Sequence, residues 1–296
     1  MSDARDFDPR LTPARPDLAA AHLRGRIAAE HYADGTLMRV VATHTALRRE
    51  PRSDASLDTE LLAGEAFITY ETDENGFAWG QSVGDGYVGY VARDDLDPQA
   101  PEPTHRVTAL RSPLYPGPSL KLATQSFLSL NARLHVAAIE GAYARIACGS
   151  HGGGYVHTAH IAPLDALEDD PVAVAERFLH TPYLWGGRTS LGLDCSGLVQ
   201  LSLAAAGIYA PRDADMQEAG LGQALAIDDD LAHLTRGDLV FWKGHVGIMC
   251  DGATLLHANG HHMAVAREPL ATARARIATN SFGPITGIRR LKRYSA

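Results

Sequence analysis

The stretch LGLDCSGLVQ, residues 191–200, places a cysteine where a glycine-rich loop leads into an apolar run. The run CSGLVQLSLAAAG predicts a helix from Cys195 to Ala206 that ends at Gly207. The first turn of a helix carries unpaired backbone N–H groups and the positive end of the helix dipole, and both favour a thiolate. The same N–H groups suit an oxyanion that forms when a thiolate attacks a carbonyl. The helix start therefore indicates that Cys195 is a nucleophile.

A nucleophilic cysteine requires a general base, and two histidines downstream are candidates. His245 begins the apolar run HVGIMC, and His257 lies near the end of the run ATLLHA. If the two runs pair as a hairpin through residues 251–253, the imidazoles lie side by side. One histidine would then accept the thiol proton, and the other would hold its tautomer and orientation.

Other interpretations of these residues stay open at this point. A lone cysteine is more often a small buried hydrophobe, which is how we interpret Cys148 and Cys250. His245 and His257 could be ordinary hydrogen-bonded histidines of a sheet. His261 and His262 suggest a zinc site with Cys195, but the chain has no CxxC or HExxH spacing, so we rank a metal below a nucleophile and expect no cofactor.

The sequence around this stretch predicts an α+β domain over residues 169–296. Asp169 or Asp170 can cap a helix that begins at Pro171. Beyond the cysteine helix, short β runs follow one another, and a helix succeeded by antiparallel strands is typical of α+β architecture. These runs are GDLVFW, HVGIMC, ATLLHANG, MAVAR and ITGIRRL.

The part of the chain before residue 169 contains an internal repeat. RVVATHTALRREP (39–51) and RVTALRSPLYPGP (106–118) share five residues at an offset of 67, and GYV occurs at 86–88 and 154–156. Between these anchors both copies have short alternating runs, which are typical of small antiparallel barrels. We therefore predict two β modules, at 37–98 and 104–165, joined by the proline-rich linker DPQAPEPTH. Residues 1–36 are predicted to form a helical leader.

Composition excludes several classes of partner. The 296 residues carry a formal net charge of -8 without any Lys/Arg-rich run, which argues against nucleic acid as a partner. No stretch approaches the roughly twenty apolar residues of a membrane span, and the acidic first residues do not resemble a secretory signal. Three sparse cysteines fit a reducing compartment. We expect a cytoplasmic protein; the oligomeric state stays open, and a monomer is compatible with the sequence.

Four ordered motifs in the predicted third domain resemble those of the NlpC/p60 cysteine peptidases. They are PYLWGGRTSLGLDCSGLVQ, PRDADMQ, RGDLVFWKGHVGIM and LLHANG. The resemblance implies a papain-like α+β core in which Cys195 is the nucleophile, His245 the base and His257 the residue that orients the base. The upstream modules resemble bacterial SH3-like (SH3b) barrels, and the whole arrangement resembles γ-D-glutamyl-L-diamino-acid endopeptidases of the dipeptidyl-peptidase VI type.

That resemblance implies a substrate, and alternative functions stay open. The expected substrate is a murein peptide with a free amino-terminal L-Ala, cut between γ-D-Glu and diaminopimelate or lysine during the recycling of cell-wall peptides. The alternatives are a peptidoglycan-binding or targeting protein, and an amidase or acyltransferase that uses the same residues.

The resemblance also implies residues that bind the substrate amine, part of them in the first module. There we expect Tyr87 rather than Tyr90 to face the cleft, because alternation along a strand sends the two to opposite faces. We expect Asp194 to cap its helix and to keep lone pairs for the ammonium group. Ala214 stands where many relatives have a small hydroxyl residue. The complete predicted set is Glu65, Tyr87, Tyr90, Trp185, Asp194, Ser196 and Asp213.

Overall fold

The computed structural model describes residues 7–147, 153–228 and 230–291, so the prediction for Cys148 lies outside the described residues. The chain divides into two units, Met1–Leu164 and Asp165–Ala296. Among the helices of the described residues, none is long and apolar enough to span a membrane.

The beginning of the first unit differs from the helix predicted for the leader. Strands β1 (Leu18–Ala20) and β2 (His31–Ala33) pair in parallel and are joined through a short 3-10 turn. Ala20 donates its N–H to the carbonyl of Pro13, and Gly25 has a left-handed φ of 78°. The alanine-rich pattern was misleading because consecutive residues are buried here, whereas a helix buries only one face.

Seven strands follow in the first copy of the repeat and form one antiparallel sheet in the order β5-β4-β8-β7-β6-β3-β9. Its core is apolar and includes Leu47, Leu61 and Phe67. The strands are β3 (Thr36–Val40), β4 (His44–Arg48), β5 (Leu57–Leu62), β6 (Ala66–Thr72), β7 (Phe77–Ser82), β8 (Val88–Ala92) and β9 (Leu96–Asp97).

The second copy of the repeat shares part of this strand pairing but divides its strands between two sheets. A five-stranded sheet has the order β15-β14-β13-β10-β16, and β11 and β12 form a separate hairpin. Strand β10, next to the edge strand β16, pairs with β13 and β16, as β3 pairs with β6 and β9. The strands are β10 (His105–Val107), β11 (Arg111–Leu114), β12 (Ser126–Ser129), β13 (Arg133–Glu140), β14 (Tyr143–Ala147), β15 (Gly153–His157) and β16 (Ile161–Pro163).

The second unit has α+β architecture. Its six-stranded antiparallel sheet has the order β19-β24-β20-β21-β22-β23, and a two-stranded ribbon of β17 and β18 precedes the central helix α2. The elements are α1 (Pro171–Glu176), β17 (Arg188–Thr189), β18 (Gly192–Leu193), α2 (Cys195–Ala205), α3 (Ala214–Gly220), β19 (Gln223–Ala224), β20 (Leu239–Trp242), β21 (His245–Met249), β22 (Thr254–Asn259), β23 (Ala264–Pro269), α4 (Leu270–Asn280) and β24 (Ile285–Arg290).

Most of the local predictions for this unit are confirmed. Asp170 caps α1 by accepting the N–H of Val172, with Pro171 as the first helical residue. Each of the five predicted β runs contains a strand. Helices α3 and α4 were not predicted. Ten of the eleven residues of α2 are buried, so this helix lies in the interior and presents its first turn to the neighbouring strands.

Candidate active site

The first turn of α2 positions Cys195. Helix α2 begins at this residue, and Asp194 caps it by accepting the Gly197 N–H at 2.7 Å. The helix ends as predicted, with Gly207 in a left-handed conformation at φ 74°. Cys195 is buried, and the backbone N–H groups of Val246 and Ser196 donate to its sulfur. Since Val246 follows His245, this contact places the sulfur beside the start of β21.

The predicted hairpin brings the two histidines together. Strands β21 and β22 pair in antiparallel register, with Ile248 opposite Leu256. Nε2 of His245 lies 2.8 Å from Nδ1 of His257, and both side chains are buried. The structure thus gives the geometry of a base and the residue that orients it.

Two further residues that the sequence analysis missed continue this arrangement. Glu268, on β23, places Oε1 at 2.8 Å from Nε2 of His257. Arg276, on α4, donates to both oxygens of Glu268, each at 2.6 Å. The available signal was a single carboxylate in the strand AVAREP, two residues beyond Ala266, which pairs with His257. Residues two apart on a strand share a face.

Asp194 belongs to a buried polar network that the sequence analysis did not foresee. Its carboxylate forms a two-pronged ion pair with Arg212 at 2.6 and 3.0 Å, and it also accepts the N–H groups of Gly186 and Gly197. The hydroxyl of Ser196 donates to the same carboxylate at 3.3 Å. Five donors occupy the roughly four lone-pair positions of a carboxylate. The prediction that capping leaves lone pairs of Asp194 free for an ammonium group is therefore wrong.

The predicted residues of the first unit occupy different environments. Glu65 accepts the N–H of Leu62 and so closes the turn between β5 and β6. Tyr87 is 5% exposed and packs in the apolar core, whereas the half-buried Tyr90 accepts a hydrogen bond from Arg15. The preference for Tyr87 as the ligand-facing tyrosine is therefore wrong, because burial in the core fixes its ring there.

Trp185 and Asp213, in the second unit, are the more accessible members of the predicted set. Trp185 is 68% exposed in the loop before β17. Asp213 is half-buried, and its carbonyl accepts the Gln217 N–H at the start of α3. Both residues remain predicted substrate contacts.

Burial governs the protonation of the site. It raises the pKa of the Cys195 thiol to about 12; the Asp194 carboxylate also raises this pKa, whereas the N–H groups of Val246 and Ser196 and the Arg212 guanidinium lower it. Burial also lowers the pKa of His245 to about 3, assisted by His257. Both shifts favour a thiol and a neutral imidazole at rest. The capping carboxylate and desolvation thus act against the helix dipole, which favours the thiolate.

An open cavity of about 340 Å³ lies against the two imidazoles. Its wall includes Tyr183, whose pKa is raised by burial and by Cys195, so the phenol stays a protonated donor. Phe282 covers the other side, with its ring stacked on His245 at a centroid distance of 5.3 Å and an angle of 8°. Tyr183 and Phe282 were not singled out from the sequence.

A metal-binding alternative involves a different set of residues from the one predicted. His257, His262 and Glu268 place possible ligand atoms within 4.8 Å of one another, and this group does not include Cys195. His257 and Glu268 are already hydrogen-bonded to each other, and the positive charge of Arg276 lies on the carboxylate. These contacts disfavour a cation, and we assign no metal to the group.

Two family models match separate parts of the chain. Residues 180–278 match the model of the NlpC/P60 family. The chain carries an NlpC/P60 domain. Residues 47–96 match the model of a bacterial dipeptidyl-peptidase SH3 domain, so an SH3-like domain precedes the NlpC/P60 domain.

Curated relatives carry names of peptidases. The chain is 30% identical over 187 residues to the γ-D-glutamyl-L-lysine dipeptidyl-peptidase of Bacillus subtilis, which covers 58% of this chain and 60% of the relative. It is 34% identical over 94 residues to dipeptidyl-peptidase 6 of Lysinibacillus sphaericus, which covers 32% of this chain and 33% of the relative. The chain thus spans less than two thirds of either relative.

A solved structure has the same fold. The crystal structure of an NlpC/P60 family protein from Bacillus cereus superimposes with a TM-score of 0.71 at 20% identity, over 86% of this chain and 99% of that one. At this identity the similarity concerns the fold of the NlpC/P60 domain and the SH3-like region before it.

Proposed function

We propose that the chain is a cysteine endopeptidase that hydrolyses the bond between γ-D-glutamate and the following diamino acid in murein peptides with a free amino-terminal L-alanine. The observation that carries the proposal is Cys195 at the first turn of α2 beside the hydrogen-bonded pair of His245 and His257. The names of the relatives from Bacillus subtilis and Lysinibacillus sphaericus support the substrate class.

The geometry supports a two-step reaction. His245 accepts the thiol proton while the sulfur of Cys195 attacks the γ-glutamyl carbonyl, because thiol and imidazole are both neutral at rest. The same proton passes to the departing amine, and a thioester remains. Water then adds to the thioester, which releases the L-Ala-γ-D-Glu carboxylate and regenerates the thiol. The N–H of Ser196 and the phenol of Tyr183 are the donors we propose for the oxyanion.

The proposal includes the architecture of the first unit. Two SH3-like barrels, at 37–98 and 104–165, precede the catalytic domain at 169–296. The identical strand pairing of β3 with β6 and β9, and of β10 with β13 and β16, supports a duplicated module. The cytoplasmic location and the role in recycling stay predictions.

For the substrate ammonium we propose a carboxylate other than Asp194. Glu65 and Asp213 are the two remaining candidates of the predicted set. Asp213 lies at the start of α3, next to Arg212, whose guanidinium holds the cap of the cysteine helix. An ammonium group requires an acceptor, and a half-buried carboxylate binds it more strongly than a neutral side chain does.

Hydrolysis of defined peptides tests the proposal. The protein is incubated with L-Ala-γ-D-Glu-diaminopimelate, its lysine counterpart and an N-acetylated form, and products are identified by mass spectrometry. We expect L-Ala-γ-D-Glu from the free peptides and little from the acetylated one. Cys195→Ala should abolish release while the protein still unfolds cooperatively. Equal cleavage of the acetylated peptide would refute amine recognition.

A matched pair of variants separates amine recognition from general damage. Asp213→Asn should raise KM for the free peptide without changing the slow cleavage of the acetylated peptide. Asp215→Asn, at an exposed position of the same helix, is the control and should leave both unchanged. Binding to insoluble peptidoglycan without any dipeptide release would instead favour the targeting function that the SH3 match suggests.

A further inference from the structure

A chain of four side chains runs from the surface helix α4 to the imidazole beside Cys195. Arg276 donates to both oxygens of Glu268 at 2.6 Å, and Oε1 of Glu268 lies 2.8 Å from Nε2 of His257. Nδ1 of His257 in turn lies 2.8 Å from Nε2 of His245. Glu268 is 9% exposed and His257 is fully buried, so water does not substitute for these partners.

The chemistry of a carboxylate fixes the direction of these hydrogen bonds. An ionised carboxylate only accepts, so Nε2 of His257 must carry the proton that it donates to Glu268. Neutral His257 then has a lone pair on Nδ1, which accepts the Nε2–H of His245. His245, also neutral, is left with its lone pair on Nδ1. The carboxylate of Glu268 thus determines, through His257, which ring nitrogen of His245 carries the proton.

We propose that Glu268, held by Arg276, is a positioning residue that fixes the tautomers of His257 and His245 so that Nδ1 of His245 is the base. The inference rests on the proposed function for its consequence, which is turnover. Its structural content, the position of two protons, is independent of any substrate.

The ion pair explains why Glu268 can serve this purpose in the interior. Burial alone would raise the pKa of Glu268, but the hydrogen bonds from Arg276 and His257 bring it well below its usual range. Burial lowers the pKa of His257, so the imidazole stays neutral beside the carboxylate. The charged and titratable groups that face His257 are Glu268, Arg276, His245 and His262.

If the hydrogen bonds from His245 to His257 and from His257 to Glu268 ran in the opposite direction, the site would have no base. In the reversed arrangement Nδ1 of His257 donates to Nε2 of His245, and Nδ1 of His245 carries the proton. Neither ring nitrogen of His245 is then available to accept the thiol proton of Cys195. In serine proteases, whose triad is a worked example of this effect, a wrong tautomer lowers kcat by about 10⁴.

Glu268→Gln provides a selective test, because Arg276 remains in place. Arg276 needs an acceptor, so it takes the amide oxygen and turns the amide nitrogen towards His257. That nitrogen only donates, which reverses both tautomers. We expect kcat to fall by about 100-fold or more while KM changes little. Nitrogen-15 NMR of the imidazoles should show the protonated nitrogen of His257 move from Nε2 to Nδ1.

The double variant Glu268→Gln/Arg276→Met gives the decisive comparison. Without the guanidinium, the amide oxygen is free to accept from Nε2 of His257, so the original tautomers return and kcat rises above that of Glu268→Gln. Asp238→Asn is the control, since Asp238 is fully buried and paired with Arg290 at 2.6 Å in the same unit. It should lower stability and leave the imidazole signals unchanged.

Three results would overturn the inference. They are a wild-type spectrum with the proton of His257 on Nδ1, an unchanged kcat in Glu268→Gln, and a double variant that is slower than the single one. The wild-type spectrum tests the inference even if a variant fails to fold. If the wild-type protein cleaves no peptide, the proposed function fails, while the spectrum still decides where the protons lie.

Discussion

Removing the positive partner of Asp194 should be among the most damaging single changes in the second unit. Arg212 is 1% exposed and forms the two-pronged ion pair that neutralises the capping carboxylate of α2. The Arg212→Met variant nearly keeps the aliphatic volume of the side chain, but the buried carboxylate of Asp194 loses its counter-ion. Breaking a buried pair in this way costs about 3–5 kcal/mol. For a unit of this size the melting temperature should fall by roughly 10–20 °C.

Thermal and urea unfolding of three variants measure this cost. Arg236→Met is the control, because Arg236 pairs with Asp170 and Glu176 while 34% of its side chain is exposed. Such a pair contributes less than about 1 kcal/mol. Arg212→Met/Asp194→Asn removes both charges and should be more stable than Arg212→Met alone. If Arg212→Met costs no more than Arg236→Met, the assignment of a buried, charge-compensated cap is refuted.

Three further predictions concern stability. His245→Gln should make the protein less sensitive to acid. In the wild type the pKa of His245 is lowered to about 3 by folding, so the unfolded chain binds this proton first as the pH falls. The wild type therefore loses stability below about pH 6.5, the ordinary pKa of histidine. The variant should lose about 2 kcal/mol less than wild type between pH 7 and pH 5 in urea titrations, and parallel pH profiles would contradict the neutral buried state. Gly197→Ala should be destabilised by about 1–3 kcal/mol despite its better helix propensity, because the new Cβ would lie 2.4 Å from the Gly187 carbonyl oxygen; a stabilised variant would refute that close approach. Asp170→Ala should cost about 1 kcal/mol through loss of the cap on Val172, whereas Asp170→Asn keeps a capping oxygen and should cost less; equal losses would show that the charge matters more than the cap.

The sequence by itself determined the elements whose causes are local. The helix at Cys195, its cap at Asp194 and its end at Gly207 depend on residues within one or two turns. The hairpin that joins His245 to His257 depends on alternation and on a short turn between the strands. In the first unit the pairing of β3 with β6 and β9 recurs in the pairing of β10 with β13 and β16, within the two segments of similar sequence. Such features are visible in a linear pattern because the interacting groups are close in the chain.

Only the tertiary structure decided the surroundings of the reacting groups. Arg212 reaches Asp194 across 18 residues, and Glu268 reaches His257 from a different strand. The predicted leader helix failed because Leu18–Ala20 pair with His31–Ala33 as strands, a contact between residues 13 positions apart in the chain. Whether Cys195 is a thiol or a thiolate follows from desolvation and from charges brought together by folding. Burial and long-range partners have no fixed spacing in a sequence, which is why neither the partners Arg212, Glu268 and Arg276 nor the protonation of the site could be predicted from it.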